Sequence, residues 1–306
     1  FGGFGNAPKF PHPTHIESLL MAWKRSAEDK EPDLNALYMA TLTLTRMAEG
    51  GLYDHLGGGF FRYSVDQYWN IPHFEKMLYD NAALLSVYAD AHAATGEEFF
   101  KRIGSDTADW VINDMQSSCG GYYATLDADS EGKEGTYYLW TPDEVKTLLD
   151  TTQYSIASKH FGLTDTPNFE GKAWHLHNNT ALNQVETPLS KQQTIENLEL
   201  ARQKLLNARK QRVSPGKDEK ILTSWNGLMI KAMARAARHF DRPDLAESAT
   251  CAVDFIRLKL WDGGKLSATY KDERCRFSAY LDDYAFLAAG LLELLQYRWR
   301  STDMVL

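Results

Sequence analysis

The 306-residue sequence contains only three cysteines, Cys119, Cys251 and Cys275, and they stand far apart. An odd number of cysteines without a Cys-x-x-Cys pair argues against a disulfide framework and against a cysteine-based zinc site. Isolated thiols of this kind are typical of a reducing compartment. We therefore predict a cytoplasmic location.

Basic tracts and long apolar runs are also missing. The formal net charge is −8, which argues against nucleic acid as a partner. No apolar run approaches the roughly 20 residues that a membrane helix needs, so no membrane association is expected. Phe1 to Pro13 lack the positively charged segment and the apolar segment that make up a signal peptide. The acidic stretch "LDADSEG" lacks the full spacing of a calcium loop, and we predict neither a metal nor a cofactor.

The residues that are abundant predict a large helical core. Hydrophobic residues make up 43% of the chain and aromatic residues 12%, which is typical of a globular protein. Apolar residues recur at spacings of three and four in about nine segments. These predicted helices are Thr14–Ala27, Leu34–Ala48, Phe74–Ala94, Glu97–Met115, Pro142–Leu149, Gln193–Ala208, Ser224–Phe240, Pro243–Leu260 and Leu281–Trp299.

The predicted helices come in pairs, and a Gly-Gly dipeptide follows the second helix of several of them. These dipeptides are Gly2-Gly3, Gly50-Gly51, Gly120-Gly121 and Gly263-Gly264. Each is followed by an aromatic or β-prone run, as in "GGYYATLDADSEGKEGTYYLW", where Tyr122–Leu126 and Thr136–Trp140 alternate like strands. Repeated helical hairpins bury their apolar faces by stacking on their neighbours. Either an open superhelix or a closed (α/α) ring satisfies this pattern.

Loop lengths favour the ring. Links inside a helix pair are short, as in "ATGEE", whereas links between pairs are long and aromatic. We therefore predict an all-α fold, an (α/α)6 toroid of helical hairpins with short β-hairpins in the rim loops. Residues 1–306 are expected to form a single domain within a longer chain.

The segment "NIPHFEKMLYDNAALL" carries its ionisable residues at one end. We expect Asn70 to cap a helix whose first turns present His73, Asp80 and Asn81. Later helices open in the same way, with Trp225 and Asn226 in one and Asp282 and Asp283 in another. Helix capping alone also explains acids in a first turn, and a buried structural role also explains His73. If first helices point into a common cleft, these groups lie at its mouth.

Two rim loops add aromatic and acidic groups. The first, "GGLYDHLGGGFFRYSVDQYW", contributes Asp54, His55, Arg62, Tyr63 and Trp69, and "TLDADSEG" contributes Asp127 and Asp129. Aromatic faces beside carboxylates suit a sugar, because ring CH groups stack on the aromatic side chain while acids bind the hydroxyls. Paired carboxylates suit glycosidic cleavage, whereas histidines suit proton abstraction and return at a sugar carbon.

Six motifs taken together resemble one family. They are "FGGFGNAPKFPHP", "GGLYDHLGGGFFRYSVDQYW", "IPHFEKMLYDNAALL", "DADSEGKEGTYYLWT", "KILTSWNGLMI" and "LDDYAFLAAGLLEL". The chain resembles the thioredoxin-domain-containing family of the YyaL and spermatogenesis-associated protein 20 type over nearly its whole length. The resemblance implies a thioredoxin-like domain before residue 1, which would be an intramolecular partner. It also implies an (α/α)6 barrel similar to six-hairpin glycosidases and to N-acylglucosamine 2-epimerases, with further helices beyond Leu306.

The resemblance assigns no reaction. Phe61 stands where the family often has His. If an acid or base were essential at that position, this protein would lack it. Our leading hypothesis is a sugar epimerase or glycoside hydrolase with catalytic residues His73, Asp80, His55 and Asp127. The substrate-binding residues would be Asp54, Arg62, Tyr63, Trp69, Asn81, Asp129, Trp225, Asn226, Asp282 and Asp283. The alternative is a non-catalytic barrel that binds a peptide or protein for the thioredoxin-like domain.

Overall fold

The computed structural model describes residues 1–28 and 31–304. Helices dominate this part of the chain, and the strands in it are short. The α-helices are α1 (Pro13–Glu28), α2 (Leu34–Glu49), α3 (Leu78–Thr95), α4 (Glu98–Trp110), α5 (Pro142–Leu148), α6 (Thr151–His160), α7 (Lys191–Arg209), α8 (Thr223–Phe240), α9 (Pro243–Phe255) and α10 (Leu281–Tyr297). None of these helices combines the length and apolarity that a membrane span requires.

The strands lie in the connections between helices. They are β1 (Tyr63–Ser64), β2 (Pro72–His73), β3 (Lys76–Met77), β4 (Thr125–Leu126), β5 (Asp129–Ser130), β6 (Lys133–Glu134), β7 (Lys217–Asp218), β8 (Ile221–Leu222), β9 (Trp261–Asp262), β10 (Lys265–Lys271) and β11 (Arg274–Ser278). All pairings between them are antiparallel. The predicted β-hairpins between helices are therefore present.

The chain forms two compact units. Unit 1 comprises Phe1–Pro11, Thr45–Glu75 and Asp127–Gly216. Unit 2 comprises His12–Leu44, Lys76–Leu126 and Lys217–Leu306. The expectation of a single domain over residues 1–306 stays a prediction.

Unit 1 is organised around α5, α6 and α7. Each begins at a side-chain cap, supplied by Thr141, Asp150 and Ser190, which satisfies a free amide of the first turn. Their apolar faces enclose a core that includes Trp140 and Phe161. Sequence periodicity missed α6, since the start of this helix lacks a regular apolar stripe and is marked mainly by its Asp150 cap.

Unit 2 is built from the remaining hairpin helices around a core rich in small residues. Gly227 on α8 and Gly290 on α10 lie at a close contact between the two helices. A β-carbon on Gly227 would overlap the backbone of Phe286 and Leu287, and one on Gly290 would contact the Gly227 carbonyl. The close approach requires glycine at the α8 position, and it sets the first turns of these helices beside each other.

Three of the four glycine pairs in the sequence pattern lie where chain segments approach closely, whereas Gly263 and Gly264 have open space around them. A β-carbon on Gly51 would overlap the carbonyl oxygen of Asn70 and the ring of His175. At Gly121 it would meet the side chains of Phe255 and Ile221. Gly51 and Gly121 are therefore positions where a larger residue would disrupt packing, in each case against residues of the same unit.

Two sequence predictions are wrong in detail. The helix expected over Phe74–Ala94 begins only at Leu78, so Asn70 is not its cap and His73 does not lie on it. The backbone from Pro72 to Met77 is extended because it pairs with other strands, with His73 opposite Tyr63 and Lys76 opposite Leu126. Of the two predicted strands in the next connection, only Thr125–Leu126 forms, and residues 135–138 make a turn.

Candidate functional site

A β-hairpin of unit 1 places His73 beside Tyr63. Strands β1 and β2 pair with Tyr63 opposite His73, and the amide of Arg62 donates to the Glu75 carbonyl at 2.8 Å. Residues opposite each other in an antiparallel pair project from the same face. The rings of Tyr63 and His73 are accordingly stacked, with centroids 5.0 Å apart.

A second hairpin of unit 1 brings a carboxylate to the imidazole. Strands β5 and β6 pair through Asp129–Glu134 and Ser130–Lys133. Glu134 Oε1 lies 2.7 Å from His73 Nδ1 and also accepts the backbone N–H of Phe74 at 3.2 Å. A carboxylate can only accept a hydrogen bond, so His73 Nδ1 carries the proton. In the neutral imidazole, Nε2 is then the basic nitrogen.

Glu75 lies on the other side of the imidazole. Its Oε2 is 3.8 Å from His73 Nε2 and accepts a hydrogen bond from Arg62 Nη1 at 2.9 Å. The His73 side chain is 27% exposed and that of Glu75 21%, so both can be reached from solvent. We call His73, Glu75, Glu134, Arg62 and Tyr63 the His73 cluster. It can accept a proton at Nε2 and stabilise the resulting imidazolium with two carboxylates.

Asp127 and Asp129 precede Glu134 of this cluster by only a few residues, and both are exposed. Asp127 Oδ1 accepts the amide of Asp129 at 3.3 Å, and Asp129 is the β-pairing partner of Glu134. Two carboxylates are thus presented to solvent by the hairpin that holds Glu134. They are available to bind hydroxyl groups.

Three predicted site residues of unit 1 have structural roles instead. Asp54 forms a buried, two-point ion pair with Arg209, at 2.8 Å and 2.9 Å. His55 donates from Nε2 to the Gly50 carbonyl at 2.8 Å, and burial holds the pKa of its imidazole well below the ordinary value. Trp69 is fully buried under Lys9, whose ammonium lies 4.6 Å from the ring centroid. The predicted acid–base role of His55, hydroxyl binding by Asp54 and stacking by Trp69 conflict with this burial.

In unit 2, the first turn of α8 contacts the first turns of α3 and α10. The ring centroids of Tyr79 and Trp225 are 4.8 Å apart. Asp283 accepts the amide of Ser224 at 2.8 Å and that of Tyr280 at 2.8 Å. Both Asp283 oxygens are therefore engaged with backbone, which is a capping role and not the predicted substrate contact.

The two asparagines of these first turns are also structural. Asn226 is fully buried, with Oδ1 accepting the Tyr122 amide at 2.8 Å and Nδ2 donating to the Tyr122 carbonyl at 3.0 Å. Asn81 is fully buried and donates to the Met77 carbonyl at 2.9 Å. Their predicted contact with substrate conflicts with this burial. Asp80 and Trp225 are half-buried and Asp282 is exposed, so these three can still contact a ligand.

Glu75 and Glu134 were missed by sequence reasoning. Glu75 follows His73 by two residues, which places both on one face of an extended segment, but the segment was interpreted as helix. Glu134 lies 61 residues from His73, and no local pattern links the two. In the part of the chain that the structure describes, no three His, Cys, Asp or Glu side chains converge as a metal site would require.

Comparison with known proteins places the chain by sequence and by fold. No family model matches it. It is 34% identical over 336 aligned positions to human spermatogenesis-associated protein 20, covering 97% of this chain and 42% of that protein. The chain thus spans about two-fifths of its relative's length.

Two solved structures are similar in fold at 12% identity. One is a family 76 glycoside hydrolase from a bovine Bacteroides thetaiotaomicron strain, with a TM-score of 0.52 over 97% of this chain and 45% of the other. The second is the unsaturated glucuronyl hydrolase of Bacillus sp. GL1, with a TM-score of 0.54 over 96% and 59%. Both alignments confirm the predicted fold class. The chain is a homologue of spermatogenesis-associated protein 20 with the all-α (α/α)6 fold of the six-hairpin glycosidase type.

Proposed function

We propose that the protein transforms a carbohydrate and that His73 transfers a proton to or from the sugar. The observation that carries the proposal is the 2.7 Å contact between His73 Nδ1 and Glu134 Oε1, which leaves Nε2 basic. The substrate class is suggested by the fold, which is shared with two glycoside hydrolases. Fold alone does not fix function, and the His73 cluster supplies the groups for the chemistry.

The neighbours of His73 favour a proton-transfer role. Glu134 orients the ring, and an imidazolium formed at Nε2 would gain attraction from Glu75 at 3.8 Å. Arg62 balances part of this negative charge and fixes the Glu75 carboxylate. A base of this kind suits removal of a proton from a sugar carbon, as in epimerisation, or from an attacking water, as in hydrolysis.

Other exposed or half-buried side chains are proposed to bind ligand. In unit 1 these are Asp127 and Asp129, for hydroxyl groups, and Tyr63, for a ring face. In unit 2, Asp80, Asp282 and Trp225 are proposed as a separate set of ligand contacts at the first turns of α3, α10 and α8. The cytoplasmic location and the thioredoxin-like domain stay predictions.

The test is a panel of mono- and disaccharides incubated with the protein in D₂O and followed by proton NMR. Epimerisation would replace a ring proton by deuterium, whereas hydrolysis would create new reducing ends. We expect one of these changes, reduced roughly 10²–10⁴-fold by His73→Gln, the usual contribution of a general acid or base. The matched control, His15→Gln, removes an exposed histidine outside the cluster and should keep full activity.

Two results would contradict the proposal. One is the absence of any turnover or binding across the panel, which would favour the alternative of a recognition barrel for a peptide or protein. The other is turnover that His73→Gln leaves unchanged. Circular dichroism of each variant would establish that it is folded.

A further inference from the structure

Unit 2 contains a cavity that the proposed function does not use. It has a volume of about 620 Å³ and lies between α1 and the last turns of α3, α8 and α10. Its walls include Trp23 and Met21 of α1, Ala93 and Ala94 of α3, and Gln296 of α10. The first turns that carry Asp80, Trp225 and Asp282 are at the other ends of those three helices. The volume falls within the range of small-molecule sites, roughly 300–1,000 Å³.

A network of ion pairs makes one wall of the cavity rigid. Arg235 Nη1 donates to Asp90 Oδ2 at 2.8 Å, and its Nη2 donates to Glu293 Oε2 at 3.2 Å. Arg238 Nη2 donates to Glu293 Oε1 at 2.7 Å. The Arg235 and Glu293 side chains are only 14% and 10% exposed. Bidentate and shared arginine contacts of this kind hold their groups in fixed directions.

The charges that line the cavity balance. Glu17, Asp90 and Glu293 are matched by Lys24, Arg235 and Arg238. His239 adds no charge at neutral pH, because burial, together with Arg238 and Arg235, keeps the pKa of its imidazole below the ordinary value. A ligand with a net charge of either sign would meet as much repulsion as attraction. An uncharged ligand would find donors and acceptors side by side.

We infer that this cavity binds an uncharged polyhydroxylated molecule, a neutral mono- or disaccharide. Hydroxyl groups of the ligand can accept hydrogen bonds from the outer edge of Arg238 and from Lys24. They can also donate hydrogen bonds to carboxylate oxygens of Glu17 and Asp90. The Gln296 amide accepts from Arg238 at 3.4 Å and donates to the Leu292 carbonyl at 3.3 Å, and its second N–H and second lone pair are left for the same ring. Trp23 and the methyl groups of Ala93 and Ala94 provide the apolar surface against which sugar CH groups pack. The binding is independent of His73 and would persist if His73 had no catalytic role.

Met21 offers a probe inside the cavity. The protein would be labelled with [methyl-¹³C]methionine, and the Met21 signal assigned from its loss in Met21→Leu. Neutral disaccharides such as cellobiose and mannobiose would then be titrated in parallel with a uronic acid and an amino sugar of similar size. We expect the neutral sugars to shift the Met21 methyl signal at concentrations at least about tenfold below those needed for the charged ones, since a 1.4 kcal/mol difference is tenfold in affinity.

Cavity-filling variants make the result specific. Ala93 is exposed, so Ala93→Trp should fold while occupying the space of the ligand. It should abolish the Met21 response, whereas the nearly isosteric Ala93→Ser should preserve it. His73→Gln should leave the response intact, which separates this inference from the proposed catalytic function. The inference is overturned if neutral sugars leave Met21 unmoved, if a charged sugar binds more tightly, or if Ala93→Trp binds as the wild type does.

Discussion

His73 Nδ1 and Glu134 Oε1 lie 2.7 Å apart, although 61 residues separate them in the chain. Each residue belongs to a short antiparallel hairpin, and the two hairpins belong to the same compact unit. The contact fixes the direction in which the imidazole can accept a proton. It therefore connects local backbone pairing with the chemistry proposed for the protein.

Removing Glu134 should change the tautomer of His73. In the wild type the carboxylate selects the imidazole protonated on Nδ1, so ¹⁵N NMR above neutral pH should show this form as the major one. Glu134→Ala removes the acceptor and should reduce its population. Lys133→Ala, on the same hairpin, serves as control and should leave the tautomer ratio unchanged. An Nε2-protonated ring in the wild type would contradict the assigned hydrogen bond.

Acid should weaken the fold through His175. Burial lowers the pKa of its imidazole to about 4, from an ordinary 6.5. Its Nε2 donates to the Gly51 carbonyl at 2.6 Å, and its buried Nδ1 has no hydrogen-bond partner in the described structure. Because the unfolded chain binds the extra proton first, this contribution to stability is complete above pH 6.5 and is lost as the pH falls towards 4.

Urea unfolding at pH 7 and pH 4 measures this effect. The wild type should lose about 3 kcal/mol through His175 between these conditions. His175→Gln keeps a side-chain amide that can donate to Gly51 but cannot be protonated, so its stability should depend less on pH. Equal pH dependence in the two proteins would show that His175 does not contribute in this way.

The Asp54–Arg209 ion pair should be essential to unit 1. Its side chains are 4% and 5% exposed, and its two hydrogen bonds are 2.8 Å and 2.9 Å long. Either Asp54→Asn or Arg209→Met leaves a charge without its buried partner and should cost about 3–5 kcal/mol. The double variant removes both charges and should lose less than the sum of the single losses. Additive losses in a double-mutant cycle would contradict direct coupling.

Glycine should be required at Gly51 but not at Gly216. A β-carbon at Gly51 overlaps a backbone carbonyl that cannot move aside, so Gly51→Ala should destabilise the protein by about 2–3 kcal/mol. At Gly216 a β-carbon meets only Asp127, at 3.7 Å. Gly216→Ala should therefore change the unfolding free energy by about 1 kcal/mol or less. Thermal unfolding of the two variants, compared side by side, checks the difference.

Helix positions were largely predictable, because apolar periodicity survives in folded structure. The start of α3 was not, since strand pairing of Pro72–Met77 overrides a local sequence that favours a helix. His55 and Trp69 are residue types that binding sites also use. Only their burial distinguishes them from ligand-binding residues, and the sequence does not show it. Glu134 could not be linked to His73 because long-range contacts leave no periodic signal. The sequence placed Tyr63 and Arg62 in the correct connection, whereas it placed His73 at the start of a helix that in fact begins only at Leu78.

The most direct test of the central claim is a crystal structure of the protein with a sugar identified as its substrate or product. The account predicts a sugar oxygen or carbon within hydrogen-bond reach of His73 Nε2, at about 2.6–3.2 Å for an oxygen atom. The Nδ1 contact with Glu134 should be retained. Sugar bound only in the unit 2 cavity, or bound with His73 untouched, would contradict the assignment of His73 as the proton-transfer group.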